Sequence, residues 1–342
     1  MGRFAHKLKI GVRGSLDVLL EQTSLKTGDV VSGSVRLVVD KPITTRGLNV
    51  TIAGRERLYW EHSDDSGPHP HRRALDLLDE KRTLIDPLTS PDEKVSVECC
   101  DREYPFNFEL PSHLPATFEY KCRRIKGMER VRVYVEYFVT ATLLVDGFLK
   151  ADLECVIPIT VDSTKLPRQL TPEPVTVTKH NDVKLFGLIR QGSVDVKMAI
   201  SSNVLDPKSI IIATVDIDNS SKRELESLRL CLVEDICVDR HRKRFNRTRA
   251  SYRDVCCRLY DKSLLGMINS DSRSMLKLHL PVTPNDIYEF GPLLPTMKSH
   301  FIVSLGYRVV LDCKFQLSQR VKIDIPVIVV PSTSRIVAPA AA

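Results

Sequence analysis

The densest chemistry in the chain is a basic run. Residues 240–249 read Arg240, His241, Arg242, Lys243, Arg244, Phe245, Asn246, Arg247, Thr248 and Arg249, which is six Lys or Arg and no acid. Guanidinium and ammonium groups at that density suit phosphate, whether an anionic lipid headgroup, an inositol phosphate or a phosphorylated protein segment. At about 1 kcal/mol per basic residue near an anionic membrane, six would give salt-sensitive adsorption. A second cluster holds Lys121, Arg123, Arg124, Lys126, Arg130 and Arg132 against Glu129. It sits just before a strand-like run and is a second candidate for the same chemistry. The competing reading of both is a solvated loop that aids solubility. Nucleic acid is disfavoured, because within the run only Phe245 is placed to stack on a base.

Two further groupings invite a chemical reading. His62, His69 and His71 lie with Asp64 and Asp65 in a Gly/Pro/Asp-rich stretch. Imidazoles and carboxylates can bind a transition metal, but no tetrahedral ligand set is implied, and a solvated hairpin loop explains the stretch. Nine cysteines include the vicinal pairs Cys99-Cys100 and Cys256-Cys257. A vicinal pair can be redox-active. Each pair also flanks a strand-like run, where one cysteine of the two would face the core as a small hydrophobe. An odd count with no CxxC pair and no signal peptide reads as a reducing, cytoplasmic setting. The sequons at Asn49, Asn219 and Asn246 are coincidental in that setting. No nucleophile elbow, P-loop, Rossmann fingerprint or His-Glu-x-x-His is present, so no catalytic residue, metal or cofactor is expected and the chain reads as a non-enzyme.

The elements that must position these groups follow from composition and periodicity. The 342 residues are 42% hydrophobic and 27% charged, an ordinary globular balance long enough for two domains. No apolar run approaches the roughly 18 residues that a membrane-spanning helix needs. The net charge of +7 is unevenly placed: residues 1–165 hold 24 Lys+Arg and 25 Asp+Glu, residues 166–342 hold 26 and 18. Most of the excess is therefore the single run at 240–249. Period-two alternation dominates. Val131, Val133, Val135, Tyr137 and Val139 share one face, as do Val194, Val196, Met198 and Ile200, and Val321, Ile323, Ile325, Val327 and Val329. Such stripes predict antiparallel strands with one buried face. Turns are predicted at Lys26-Thr27-Gly28-Asp29, Asp206-Pro207, Asn219-Ser220-Ser221 and 281–285. Residues 75–84 fit a short helix on Leu77, Leu78 and Leu84, or equally a strand.

The chain also resembles itself. Shifted by 180 residues, Val30, Val31, Val35 and Leu37 meet Ile210, Ile211, Val215 and Ile217, and Leu48, Val50 and Ile52 meet Leu228, Leu230 and Leu232. Shifted by 170, Leu110-Pro111 meets Leu280-Pro281, and the stripe 131–139 meets Phe301, Val303, Leu305, Tyr307 and Val309. Shifted by 168, Ile157-Pro158-Ile159 meets Ile325-Pro326-Val327. Three matches in the same order imply a duplicated domain. The boundaries read as 10–165 and 180–331, with the proline-bearing stretch around Pro167, Pro172 and Pro174 as linker.

One family carries these features. Tyr104-Pro105-Phe106-Asn107-Phe108-Glu109-Leu110-Pro111, then Leu114-Pro115-Ala116-Thr117-Phe118-Glu119, resembles the central motif of the arrestin N-terminal domain. Residues 27–35 and 46–54 resemble its early strands, and 194–200, 210–219 and 228–233 resemble strands of the arrestin C-terminal domain. The likeness covers about residues 15–330 and is closest to the arrestin-domain-containing, or α-arrestin, branch. It implies an all-β chain of two tandem arrestin-like, immunoglobulin-like antiparallel β-sandwich domains. It further implies a non-catalytic cytoplasmic adaptor, peripheral at the plasma membrane or endosomes, that binds membrane-protein cargo or receptor tails in endocytosis and trafficking. Anionic lipid or inositol phosphate would be a second partner, and a ubiquitin ligase a third. Two departures stand out: the second domain's usual Pro-Gly-acid turn reads Pro207-Lys208-Ser209, and no Pro-Pro-x-Tyr motif is present. A retromer-like cargo-sorting subunit, using apolar edge strands, is the alternative on the same fold.

Overall fold

The computed structural model describes residues 14–86, 94–125, 128–146, 152–162, 170–239, 248–261, 268–283 and 293–331. These residues form strands and turns, and no helix among them is long and apolar enough to cross a membrane. The first half contributes β1 (Gly14–Leu20), β2 (Ser24–Lys26), β3 (Val30–Val39), β4 (Ile43–Asp64), β5 (Gly67–Ile85), β6 (Val95–Val97), β7 (Cys100–Glu109), β8 (Phe118–Ile125), β9 (Met128–Val145) and β10 (Leu153–Asp162). One sheet runs β1-β3-β7. The other runs β2-β10-β9-β4-β5, with β6 on β4 and β8 on β9. The alternating stripes become the core: Val31, Val35 and Leu37 on β3, Leu48, Val50 and Ile52 on β4, and Val131 to Val139 at odd positions on β9 are all buried.

The Leu-Pro segment is a structural device. Leu110 and Leu114 are buried, and their neighbours stitch turns together. Leu110 N–H donates to Asp29 O (2.9 Å), Gly28 N–H to Leu110 O (3.0 Å), and Thr117 N–H to Val161 O (2.7 Å). Proline carries no donor, so it suits the crossing between sheets, where no ladder bond is owed. Tyr137 closes the segment by donating its hydroxyl to Pro115 O (2.7 Å). Gly54 is held to glycine by that same ring, since a Cβ there would lie 2.4 Å from Tyr137.

The second half contributes β11 (Val175–Leu185), β12 (Ile189–Ile200), β13 (Val204–Leu205), β14 (Ile210–Ser221), β15 (Leu225–Asp239), β16 (Thr248–Asp261), β17 (Ser272–Pro281), β18 (Ile302–Phe315) and β19 (Val321–Val329). Its sheets run β11-β12-β14-β17 and β13-β19-β18-β15-β16. The duplication is therefore topological. The order β12-β14-β17 repeats β1-β3-β7, and β13-β19-β18-β15-β16 repeats β2-β10-β9-β4-β5 position by position. Even the short parallel pairing recurs, as β2 on β10 and β13 on β19. By contact the chain divides into two compact units. The second comprises Pro167–Ala342 together with Tyr59–His71 and Tyr120–Val133, the far ends of β4, β5, β8 and β9.

Residues 75–84, open between helix and strand from sequence, are strand, inside β5. Other local expectations are corrected. Asn219-Ser220-Ser221 is the end of β14 rather than a turn. Asn219 is buried there, and its amide donates to Arg223 O and Asn269 O. The turn at Pro207 needs no glycine because Asp206 caps it: its carboxylate accepts from Lys208 N–H (2.8 Å) and its carbonyl from Ser209 N–H (2.9 Å). The matching first-half turn uses Gly28 at φ 91° instead. Of the vicinal cysteines, Cys256 does face the core, but neither Cys99 nor Cys100 is buried. Free thiols throughout were expected, and one pair departs from that: Cys231 and Cys257 are joined in a disulfide.

Candidate functional site

The second unit carries an apolar corner that the core does not explain. The turn between β11 and β12 reads Leu185-Phe186-Gly187-Leu188-Ile189, and the turn between β18 and β19 holds Leu317. Phe186 is 74% exposed, Leu188 86%, Ile189 59% and Leu317 58%. The two turns are bonded to each other: Phe186 N–H donates to Leu317 O (3.1 Å), and Lys184 N–H to Ser318 Oγ (3.3 Å). Both Phe186 (φ 52°) and Leu317 (φ 53°) are left-handed, a conformation that costs a bulky residue about 1–2 kcal/mol. The chain thus accepts backbone strain at two adjacent turns and displays large apolar side chains on both. Exposed Lys184, Arg190 and Lys222 flank the corner, and Arg190 also pairs with Asp182 (3.0 Å). An apolar projection with a cationic border is chemically suited to an anionic lipid surface.

The same unit buries a charge cluster. The inward face of β15 carries Leu228, Leu230, Leu232, Ile236 and Val238, and Glu234 falls in that row at 1% exposure. Arg253 on β16 approaches it with Nε 2.6 Å from Oε1 and Nη2 3.0 Å from Oε2. Tyr120 on β8 donates to Oε1 (2.8 Å), and the Tyr307 hydroxyl lies 3.3 Å from Oε2 and 2.8 Å from Leu294 O. Burial opposes the charge on Arg253, but Glu234 outweighs it and keeps the guanidinium protonated. Burial first, and the carboxylate second, push both phenols well above their usual range. The outer face of this sheet is a ladder of ion pairs: Arg308 with Asp235 (2.8 Å) and Asp324 (2.6 Å), Arg320 with Asp312 (2.8 Å) and Lys314 with Glu226 (2.9 Å).

The sequence-derived basic residues are placed unevenly. Arg240, Arg242, Lys243, Arg244, Arg247 and Lys126 lie outside the described residues. Arg249 falls on β16 and Arg123 and Arg124 on β8, with only their backbone described, while Lys121 is exposed on β8. The second cluster does not merely precede a strand. Its described members sit on β8 and β9, which pair with each other. The histidine stretch is the β4–β5 hairpin: His69 bonds Ser66 Oγ (3.1 Å) and His71 stacks on Trp60 (4.8 Å between ring centres). Among the described residues, the metal-type grouping is elsewhere, at Cys231, Asp254 and Cys257. The apolar corner and Glu234 were not singled out from sequence. Their signals were a hairpin turn built of apolar residues and an acid inside an apolar stripe.

Two sandwiches in tandem with matched strand order define a duplicated all-β protein. Residues 17–161 match the family model for the arrestin (or S-antigen) N-terminal domain, and residues 190–334 match that for the C-terminal domain. The chain belongs to the arrestin-domain-containing family. It is similar to Arrestin domain-containing protein A of Dictyostelium discoideum, 24% identical over 224 residues, which is 64% of this chain and 37% of that protein. It is also similar to human Arrestin domain-containing protein 5, 22% identical over 220 residues, covering 64% of this chain and 60% of that one. The aligned region therefore spans 37% and 60% of these relatives' own lengths, less than two thirds of either.

Proposed function

We propose that this chain is a non-catalytic adaptor that binds cytoplasmic regions of membrane proteins in endocytosis and protein trafficking. The apolar corner carries this reading. It seats the second unit on an anionic bilayer, and the run at 240–249, with Lys121, Arg123, Arg124 and Lys126, meets phosphate from the lipid or the cargo tail. Full burial of a Leu, Ile or Phe side chain is worth about 1.5–3 kcal/mol. Partial insertion of four such residues therefore supplies a membrane affinity that the cations alone would lose in salt. These 342 residues hold no Pro-Pro-x-Tyr motif, and a link from cargo to ubiquitination through a partner is part of the proposal.

The test is co-sedimentation with phosphatidylcholine–phosphatidylserine vesicles. Phe186→Ser with Leu188→Ser should reduce binding at least about tenfold. Alanine at Arg242, Lys243, Arg244 and Arg247 should remove the salt-sensitive part of the binding. Binding that survives both sets of changes would end the membrane reading. The edge strands β1 and β16 carry the exposed Leu19 and Leu259, which favours the retromer-like sorting alternative. That alternative requires cargo binding that is insensitive to salt and to the corner substitutions.

A further inference from the structure

The outer face of β15 and β16 holds a second constellation. Cys231 lies on β15 directly opposite Cys257 on the edge strand β16, with Cα atoms 4.2 Å apart. Residues three apart on a strand normally point to opposite faces, yet Asp254 and Cys257 come to the same one. A β-bulge causes this: Cys256 opposes Leu232 while Asp254 opposes Val233, so one residue of β16 is left over between them. The bulge gathers Cys231, Asp254 and Cys257 so that their ligand atoms lie within 4.8 Å of one another. Arg229, two residues before Cys231 on the same face, joins the group. Its guanidinium pairs with Asp254, and Nη2 lies 3.3 Å from Cys257 Sγ. Cys231 is 4% exposed and Cys257 half-buried, so an incoming reagent meets Cys257 first.

We propose that Cys231 and Cys257 form a reversible peroxide-sensitive thiol pair, with Arg229 as the positioning residue that holds Cys257 as thiolate. A thiolate beside a guanidinium is the nucleophilic form, whereas burial raises the Cys256 thiol and pushes Cys313 up to about 12, which leaves both inert. In the oxidising direction the Cys257 thiolate attacks one oxygen of hydrogen peroxide. The O–O bond breaks, hydroxide leaves and takes a proton as water, and Cys257 becomes a sulfenic acid. The Cys231 thiol then attacks the Cys257 sulfur, its proton passes to the departing hydroxyl, the S–O bond breaks with loss of a second water, and the disulfide forms. Two thiols are oxidised and one peroxide is reduced. A cellular dithiol or glutathione reverses the change by thiol–disulfide exchange. The crosslink closes a loop at a sequence separation of 26, and that loop contains Glu234, Arg253 and the whole basic run. Oxidation therefore clamps the base of the hairpin that bears the phosphate-seeking residues.

The full chain, reduced and freed of reductant, is treated with hydrogen peroxide and mapped by differential alkylation and peptide mass spectrometry. Cys231 and Cys257 should leave the free-thiol pool together and reappear as one crosslinked peptide. The thermal midpoint should rise by about 5–10 °C on oxidation. Cys257→Ser should remove both effects, and Arg229→Gln should move the pH midpoint of Cys257 alkylation upward. A Cys256–Cys257 product, or no peptide crosslink, overturns the assignment. So does one equivalent of Zn²⁺ bound by the reduced protein and protecting both thiols, which would make the group a metal site. An unchanged alkylation pH profile in Arg229→Gln overturns the role given to the arginine.

Discussion

Glu234→Gln is a sharp test of the charge cluster. The carboxylate, 1% exposed, accepts two contacts from Arg253 and one from Tyr120, and its second oxygen also faces the Tyr307 hydroxyl. Glutamine keeps the shape and one acceptor, but it turns an NH2 toward a guanidinium N–H of Arg253 that can only donate and leaves the Arg253 charge without its counter-ion. Hydrogen bonds to charged groups are worth about 1.5–3 kcal/mol each, and breaking a buried pair from one side costs about 3–5 kcal/mol. At roughly 2–4 °C per kcal/mol for a unit of this size, the thermal midpoint should fall by about 6–20 °C. The double change Glu234→Met with Arg253→Met removes both charges and should recover most of that loss. Differential scanning calorimetry reads both variants. A Glu234→Gln midpoint within about 2 °C of the parent, or a double variant as unstable as the two single losses added, would refute the account of the cluster as a mutually compensated buried pair.

Phe186→Gly should raise stability by about 0.5–1 kcal/mol in denaturant titration, because glycine relieves the left-handed strain, while vesicle binding falls. Stability should also decline above about pH 10. The Tyr120, Tyr137 and Tyr307 phenols are raised by burial, so the folded state holds its protons when the unfolded chain has released them. Their contribution is complete below the ordinary tyrosine range and is lost as pH rises, at about 1.36 kcal/mol per pH unit for each. Absorbance near the phenolate band should then rise cooperatively with unfolding rather than in independent steps.

What the sequence disclosed depended on whether a signal was periodic. The stripe at 131–139 lies on β9 and its match at 303–309 on the equivalent β18, while Leu110-Pro111 directly follows β7 and Leu280-Pro281 ends the equivalent β17. Residues 75–84 stayed ambiguous because paired leucines at 77 and 78 break the alternation, and only pairing with β4 settles them as strand. Asn219-Ser220-Ser221 has turn composition, yet its polar groups are satisfied by Arg223 and Asn269 and the segment stays in the sheet. The partner of Cys257 depended on strand register. Its chain neighbour Cys256 points to the opposite face, and nothing local names residue 231, twenty-six positions away.

The matched sheet order also governs how the protein is made. In each sandwich a short early strand is completed by the last one: Ser24 of β2 lies beside Thr160 of β10, and Val204 of β13 beside Ile328 of β19. Neither sandwich can close until its final strand has left the ribosome, and contacts so distant along the chain form slowly. For that interval β9 and β18 each present an unpaired, apolar-striped edge. The growing chain passes through two separate windows of aggregation risk, one before residue 162 and one before residue 329, at which chaperone binding during synthesis would matter most.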